Sequence, residues 1–203
     1  MSLAASAPAW ARPYEPAAAR ADASIALVAQ STAGFAMLAV QAALGPPITV
    51  PVRSPVALVA VVALGGGTLL AYLGLLGAAL AVPMWMHRCY RNLPALGSRG
   101  HFSPAWAAAC WFVPIANLVL PYVAVRDVWA ASRPGERWNA ALVAAWWVAW
   151  LAAWVLLVTN GRLPWHGYVD LISTGLMAGA GALFISIVHL ITRGQTRRAA
   201  ALS

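Results

Sequence analysis

The chain reads as an all-α integral membrane protein with four transmembrane helices and a proline-broken helical hairpin that re-enters the bilayer or lies at its interface. Three observations predict this. Residues are 62% hydrophobic and only 9% charged, whereas a soluble domain carries about a quarter charged residues. Four apolar runs are each long enough to cross a hydrocarbon core. The thirteen arginines, which make up the whole basic complement of the chain, are placed so that a fifth crossing would erase their bias.

Residues 1–21 are rich in Ala and Pro, with Pro8, Pro13 and Pro16, and are expected to form a disordered cytoplasmic tail. No basic segment leads directly into a short apolar core with a cleavage site, so a secretory signal is not expected there. The helical membrane domain then occupies residues 22–192. Its first span covers residues 23–45, 23 residues that make about 35 Å of helix at ~1.5 Å per residue. Gln30, Ser31, Thr32 and Gln41 lie inside it and are read as helix-to-helix hydrogen-bonding groups rather than a transport path. Gly45-Pro46-Pro47 stops the helix.

The second apolar run, residues 55–86, is longer than a bilayer requires. The expectation is a helix that projects, with Trp85 at the interface and His87, Arg88, Arg91 and Asn92 in the aqueous boundary, ending at Leu93 because Pro94 follows. Gly65, Gly66 and Gly67 are read as packing or bending residues. Residues 139–158 and 167–191 form the last two spans, joined by Asn160-Gly161-Arg162-Leu163-Pro164. Trp146, Trp147, Trp150 and Trp154 share a broad face and are expected to fill the groove of a Gly175/Gly179 pair, with Gly181 nearby. Residues 193–203 are expected to be a basic cytoplasmic tail, with Arg193, Arg197 and Arg198.

The ambiguous element is residues 104–125, interrupted by Pro114 and Pro121 with Asn117 between them. As a fifth transmembrane helix it would divide the arginines six against seven; as a hairpin it leaves eleven on one side, with Arg53 and Arg162 opposite. Only the second division satisfies the positive-inside rule, so four spans are expected and five are the alternative. About ten residues of helix from Pro104 would reach roughly 15 Å before Pro114 breaks it. Backbone freed at that depth must be covered by protein, and Asn117 is the expected cap. Beyond Pro121, Tyr122, Val125 and Trp129 share one face and Arg126 and Arg133 another, the pattern of an interfacial helix. Asp127, one of two acids near the basic cluster with Glu136, is expected to pair with Arg88 or Arg91 and tie the hairpin to the second helix.

The ordered motifs RCYRNLPALG, FSPAWAAACWFVPIANLVLPYVAVRDVWAAS and AWWVAWL resemble bacterial membrane proteins grouped as domain of unknown function 4328. The resemblance covers about residues 56–191. It implies that Arg91, Asn92, Pro114, Asn117, Pro121, the stretch 126–129, Trp146 and Trp147 match the family pattern. Some relatives carry a zinc-ribbon-like extension, but this chain has no CxxC, so the resemblance implies no zinc module. The family has no established activity to carry over.

Function is expected to be non-enzymatic. Five scattered acids offer no paired carboxylates, no HExxH-like metal site and no nucleophile with its base. Cys89 and Cys110 are too few for a disulfide framework. His87 and His189 are read as boundary residues rather than haem ligands, and no cofactor is expected. The +8 charge carries no nucleic-acid reading, because the arginines are spread over several loops. The Ala-rich, Lys-free composition suggests GC-rich bacterial coding. The expected setting is therefore the bacterial inner membrane with both termini cytoplasmic, where the hairpin and its arginines bind anionic lipid or a protein partner, or support a homo-oligomer. The alternative is a small oligomeric transporter or channel built on the broken helix around Asn117.

Overall fold

The computed structural model describes residues 13–44, 54–133, 140–159 and 166–203. Its helices are α1 (Ala18–Leu44), α2 (Pro55–Asn92), α3 (Pro104–Ala109), α4 (Leu120–Ser132), α5 (Ala140–Thr159) and α6 (His166–Leu202). Four of them, α1, α2, α5 and α6, are long and apolar enough to cross a membrane. Residues 104–125 hold no such helix, so the five-span alternative is not the fold adopted. The arginines Arg12, Arg53, Arg137 and Arg162, the acid Glu136 and the expected turns after Leu44 and Thr159 lie outside the described residues.

The four long helices form an up-and-down bundle in which close approach, more than large side chains, sets the first pair. Ser31 donates to the Ala71 carbonyl at 2.9 Å. Cβ atoms built at Gly34 and Gly74 would lie 2.2 Å from the Ala71 nitrogen and 2.4 Å from the Ser31 nitrogen, so only glycine allows α1 and α2 to meet there. This matters because lipid tails are as apolar as leucine, and helix association inside a bilayer rests on packing and interhelical hydrogen bonds. Of the polar residues expected to bridge helices in α1, Ser31 does so, while Thr32 returns its hydroxyl to Val28 of its own helix. Outward, Val59, Val62, Leu69, Leu73, Leu76 and Leu80 of α2 are exposed, as hydrocarbon-facing residues are.

Helix ends depart from expectation in three places. α1 starts at Ala18 rather than residue 23, and residues 13–17 ahead of it, in no helix, lie against the bundle, with Ala17 buried. α6 continues to Leu202, so residues 193–202 are helix and not a separate tail; Arg and Ala there are strong helix formers, and Gln195 is fully buried against α2. α3 is six residues long, not about ten. Pro114 clashes with the carbonyl four residues earlier, that of Cys110, and disfavours helical backbone at Val113, so the helix stops a turn ahead of the proline. α2 ends at Asn92 with Leu93 as C-cap, as expected.

The glycine pair expected to receive the α5 tryptophans does not. Gly175 and Gly179 face open space, and it is Gly181 that sits against Thr32 of α1. Trp146 packs instead on Phe184, with ring centroids 4.7 Å apart, and on Trp111 of the hairpin at 6.4 Å.

Candidate functional site

One end of the bundle collects the charge. Arg20 donates to the Met84 carbonyl, Gln195 of α6 to the Cys89 carbonyl, and Arg198 to the Ala131 carbonyl, so the start of α1, the end of α2, the end of α4 and the end of α6 lie together. All nine described arginines, at positions 20, 88, 91, 99, 126, 133, 193, 197 and 198, belong to this end. Asp170, near the start of α6, belongs to the other.

The hairpin opens at the same end. From Ser103, whose hydroxyl caps α3, the chain runs inward to Trp111, which meets Phe184 and Trp146. It turns through a short 3-10 segment, Ala116–Leu118, and returns along α4. Phe112, Ile115, Leu118 and Val119 at the turn are exposed apolar residues, with Ile115 84% accessible. Trp147 of α5 donates its indole N–H to the Leu118 carbonyl at 3.2 Å. Asn117, the expected cap, does not cover the freed backbone; Trp147 does, because its long rigid ring reaches across from the next helix while the Asn117 side chain lines a cavity in the bundle.

Asp127 is not held by Arg88 or Arg91. Its Oδ2 accepts from the Tyr90 hydroxyl at 2.5 Å and the His101 backbone N–H at 2.9 Å, and its Oδ1 lies 2.7 Å from His101 Nδ1. The reason is helical phase: at 3.6 residues per turn, Arg88 points roughly 200° away from Tyr90 on α2. The arginines meet a different acid. Glu15, in the segment before α1, pairs with Arg88 and lies 3.6 Å from Arg91. Asn92, 1% exposed, joins three parts of the chain: it accepts from the Glu15 N–H, donates to the Glu15 carbonyl at 2.8 Å and donates to Gln195.

The remaining residues singled out by sequence fall into place around these. Pro121 is buried in the first turn of α4, and Pro114 is exposed at the bend. Arg126 is exposed with its guanidinium 5.9 Å from the Tyr122 ring, and Trp129 is buried beneath Arg133 at 5.7 Å. Both cation and ring attract in that geometry. Tyr90, His101, Glu15 and Gln195 were not legible as partners; nothing in their spacing brings them to Asp127 or Asn92.

Between α2 and the mouth of the hairpin lies a surface groove of about 650 Å³ whose wall includes His87, Arg91, Arg99, Ser103, Phe102 and Pro104. Cationic and hydroxyl groups line it together with apolar residues, Leu93, Pro94 and Ala105 among them. Such a site suits an anion attached to something apolar. Among the described residues no three His, Cys, Asp or Glu side chains gather as metal ligands.

Four helices long and apolar enough to cross a membrane, a hairpin that enters and leaves by one end, and the nine described arginines gathered at that end define a multi-pass α-helical membrane protein. Within that class, the chain belongs to the family described as Domain of unknown function (DUF4328), whose model matches residues 50–193. No curated protein and no solved structure matches it.

Proposed function

We propose that this is a non-enzymatic bacterial inner-membrane protein, with both ends of the chain and the hairpin mouth in the cytoplasm, whose arginine-bearing end binds anionic lipid headgroups. The observation that carries the reading is the confinement of all nine described arginines to the end where the groove of His87, Arg91 and Arg99 opens. Each arginine near an anionic leaflet contributes about 1 kcal/mol of attraction, and the positive-inside rule puts that end in the cytoplasm. The test is retention of anionic against neutral phospholipid. Purified protein is expected to keep phosphatidylglycerol through delipidation and to lose it in an Arg91→Gln/Arg99→Gln variant. Equal retention of phosphatidylglycerol and phosphatidylcholine would count against the proposal.

A second reading, an oligomeric carrier, has one observation behind it: Asn117 lies on the wall of a cavity between the spans. Solute flux into proteoliposomes that disappears with Asn117→Leu would favour it.

A further inference from the structure

The carboxylate of Glu15 is divided between two arginines that differ in what they need. Its Oε2 faces Arg88, whose side chain is 14% exposed, and its Oε1 lies 3.6 Å from a terminal nitrogen of Arg91, whose side chain is 30% exposed. A guanidinium as buried as that of Arg88 requires a counter-charge, because a charge taken out of water and left unpaired is costly. Arg91 has less need of one, since water screens a cation exposed to that degree. Arg91 also belongs to the wall of the groove between α2 and the hairpin mouth. One guanidinium is therefore within reach of an internal carboxylate and of an anion that enters the groove.

Glu15 is set in position by its backbone as well as by its charge. Its N–H donates to Asn92 Oδ1 at 3.2 Å and its carbonyl accepts from Asn92 Nδ2 at 2.8 Å. Beside it, the Tyr14 hydroxyl lies 3.2 Å from the Thr196 hydroxyl of α6, and Ala17 is buried. The carboxylate itself is 45% exposed, so its contact with Arg91 forms at the surface, where a second anion can compete for it. The other arginine of the groove wall, Arg99, is exposed and makes no ion pair among the described residues.

We propose, on the reading of the groove as a headgroup site, that Glu15 is a built-in competitor for Arg91, displaced from that guanidinium by a lipid phosphate while Arg88 keeps it in place. The two free oxygens of a phosphodiester match the planar guanidinium fork as a carboxylate does, so one anion substitutes for the other. A leaflet sparse in anionic lipid leaves Arg91 with Glu15. A leaflet rich in it draws Arg91 to the groove, and the segment ahead of α1 sets the threshold between the two.

The full chain is assembled in nanodiscs of phosphatidylcholine at fixed ionic strength with increasing mole fractions of chain-labelled pyrenyl phosphatidylglycerol, or in a parallel arm pyrenyl phosphatidylcholine, and energy transfer from tryptophan is read. Glu15→Gln keeps the backbone tether to Asn92 and is expected to raise the apparent affinity for phosphatidylglycerol about threefold, the scale of a partly exposed ion pair. That gain is expected to persist in an Arg99→Gln background and to vanish in Arg91→Gln. Asp22, exposed and two residues after Arg20, supplies the control: Asp22→Asn removes the same charge and is expected to leave the affinity unchanged. Glu15→Asp, which keeps a charge for Arg88 and draws the carboxylate back by one methylene, carries the same comparison where Glu15→Gln does not fold. Unchanged or weakened affinity in the Glu15 variants overturns the proposal and reduces Glu15 to a counter-charge for Arg88. An equal gain in Arg91→Gln, or in Asp22→Asn, overturns it as well, by assigning the effect to the long-range field. If wild type prefers phosphatidylglycerol and Glu15→Gln changes nothing, only the competitor falls; if no variant prefers it over phosphatidylcholine, the headgroup site falls too.

Discussion

The Asp127 carboxylate grips His101 twice, at its backbone N–H and at its ring, 2.9 and 2.7 Å away, and so closes the neck of the hairpin between residues 26 positions apart. Asp127 is 8% exposed while the His101 ring is 67% exposed, so the acid is the buried anchor and the histidine the outer bolt. Tyr90 holds the same carboxylate from α2.

Removing the anchor strands three donor contacts at once. Asp127→Ala is expected to lower stability by about 2–3 kcal/mol, the cost of losing hydrogen bonds to a buried charged acceptor, and Tyr90→Phe by about 1 kcal/mol. Thermal unfolding in detergent micelles measures both. Charge reversal sharpens the assignment: Asp127→Arg is not rescued by Arg88→Asp, and a rescue would restore the ion pair that the structure replaces with Tyr90 and His101.

Glycine substitutions separate contact from open space. Gly34→Ala and Gly74→Ala each push a methyl into backbone of the facing helix and are expected to cost more than about 2 kcal/mol, as overpacking does. Gly175→Ala and Gly179→Ala meet nothing within 4 Å and are expected to be neutral or to stabilise by up to about 1 kcal/mol through helix propensity. Unfolding in mixed detergent with increasing dodecyl sulfate compares the four. If Gly175 and Gly179 prove the sensitive pair, the packing described for α6 is wrong.

The indole cover of the hairpin turn has its own signature. Trp147→Phe keeps the ring and deletes the donor to the Leu118 carbonyl, an expected loss of about 1 kcal/mol. Amide hydrogen exchange should quicken at residues 116–120 and stay unchanged at the Asn92 junction. Uniform acceleration across the chain would instead mean global destabilisation.

Topology is tested by thiol labelling from outside intact spheroplasts. Cys89 and Cys110 are both buried and free, which allows alanine at each as a background. Cysteine at Ser98, Ala130 and Ser203 is expected to stay protected until lysis, and cysteine at Thr159 to be labelled. Ala130 is the probe within α4 because it is exposed, while neighbouring Ser132 is 4% accessible. Labelling at Ala130 with protection at Ser98 would mean that residues 104–125 cross after all.

The long elements were legible because a bilayer imposes length and apolarity, and both are read directly from composition. The hairpin was legible through arithmetic on arginines, since a charge distribution reports the sidedness of every loop at once. Pairwise contacts were not. Asp127 near Arg88 is the natural guess from charge alone, but a two-residue step on α2 turns Arg88 to the far side, where Glu15 meets it. Glu15 itself sits in a proline-rich stretch whose composition predicts no structure, and its contacts to Asn92 exist only because α1 brings it to the end of α2. The glycine misassignment has the same origin: a GxxxG spacing marks a smooth helix face, and only the neighbour's position tells whether that face is used.

The hairpin reaches inward as far as Trp147, seven residues from the start of the 20-residue helix α5, and goes no further. Among the described residues, a section through the bundle near the arginine end therefore cuts the six helices α1 to α6, and a section through the opposite half cuts four. The molecule is tapered. Seated in a flat bilayer, it displaces more lipid from one leaflet than from the other, and many copies side by side would bow the sheet away from the narrow face.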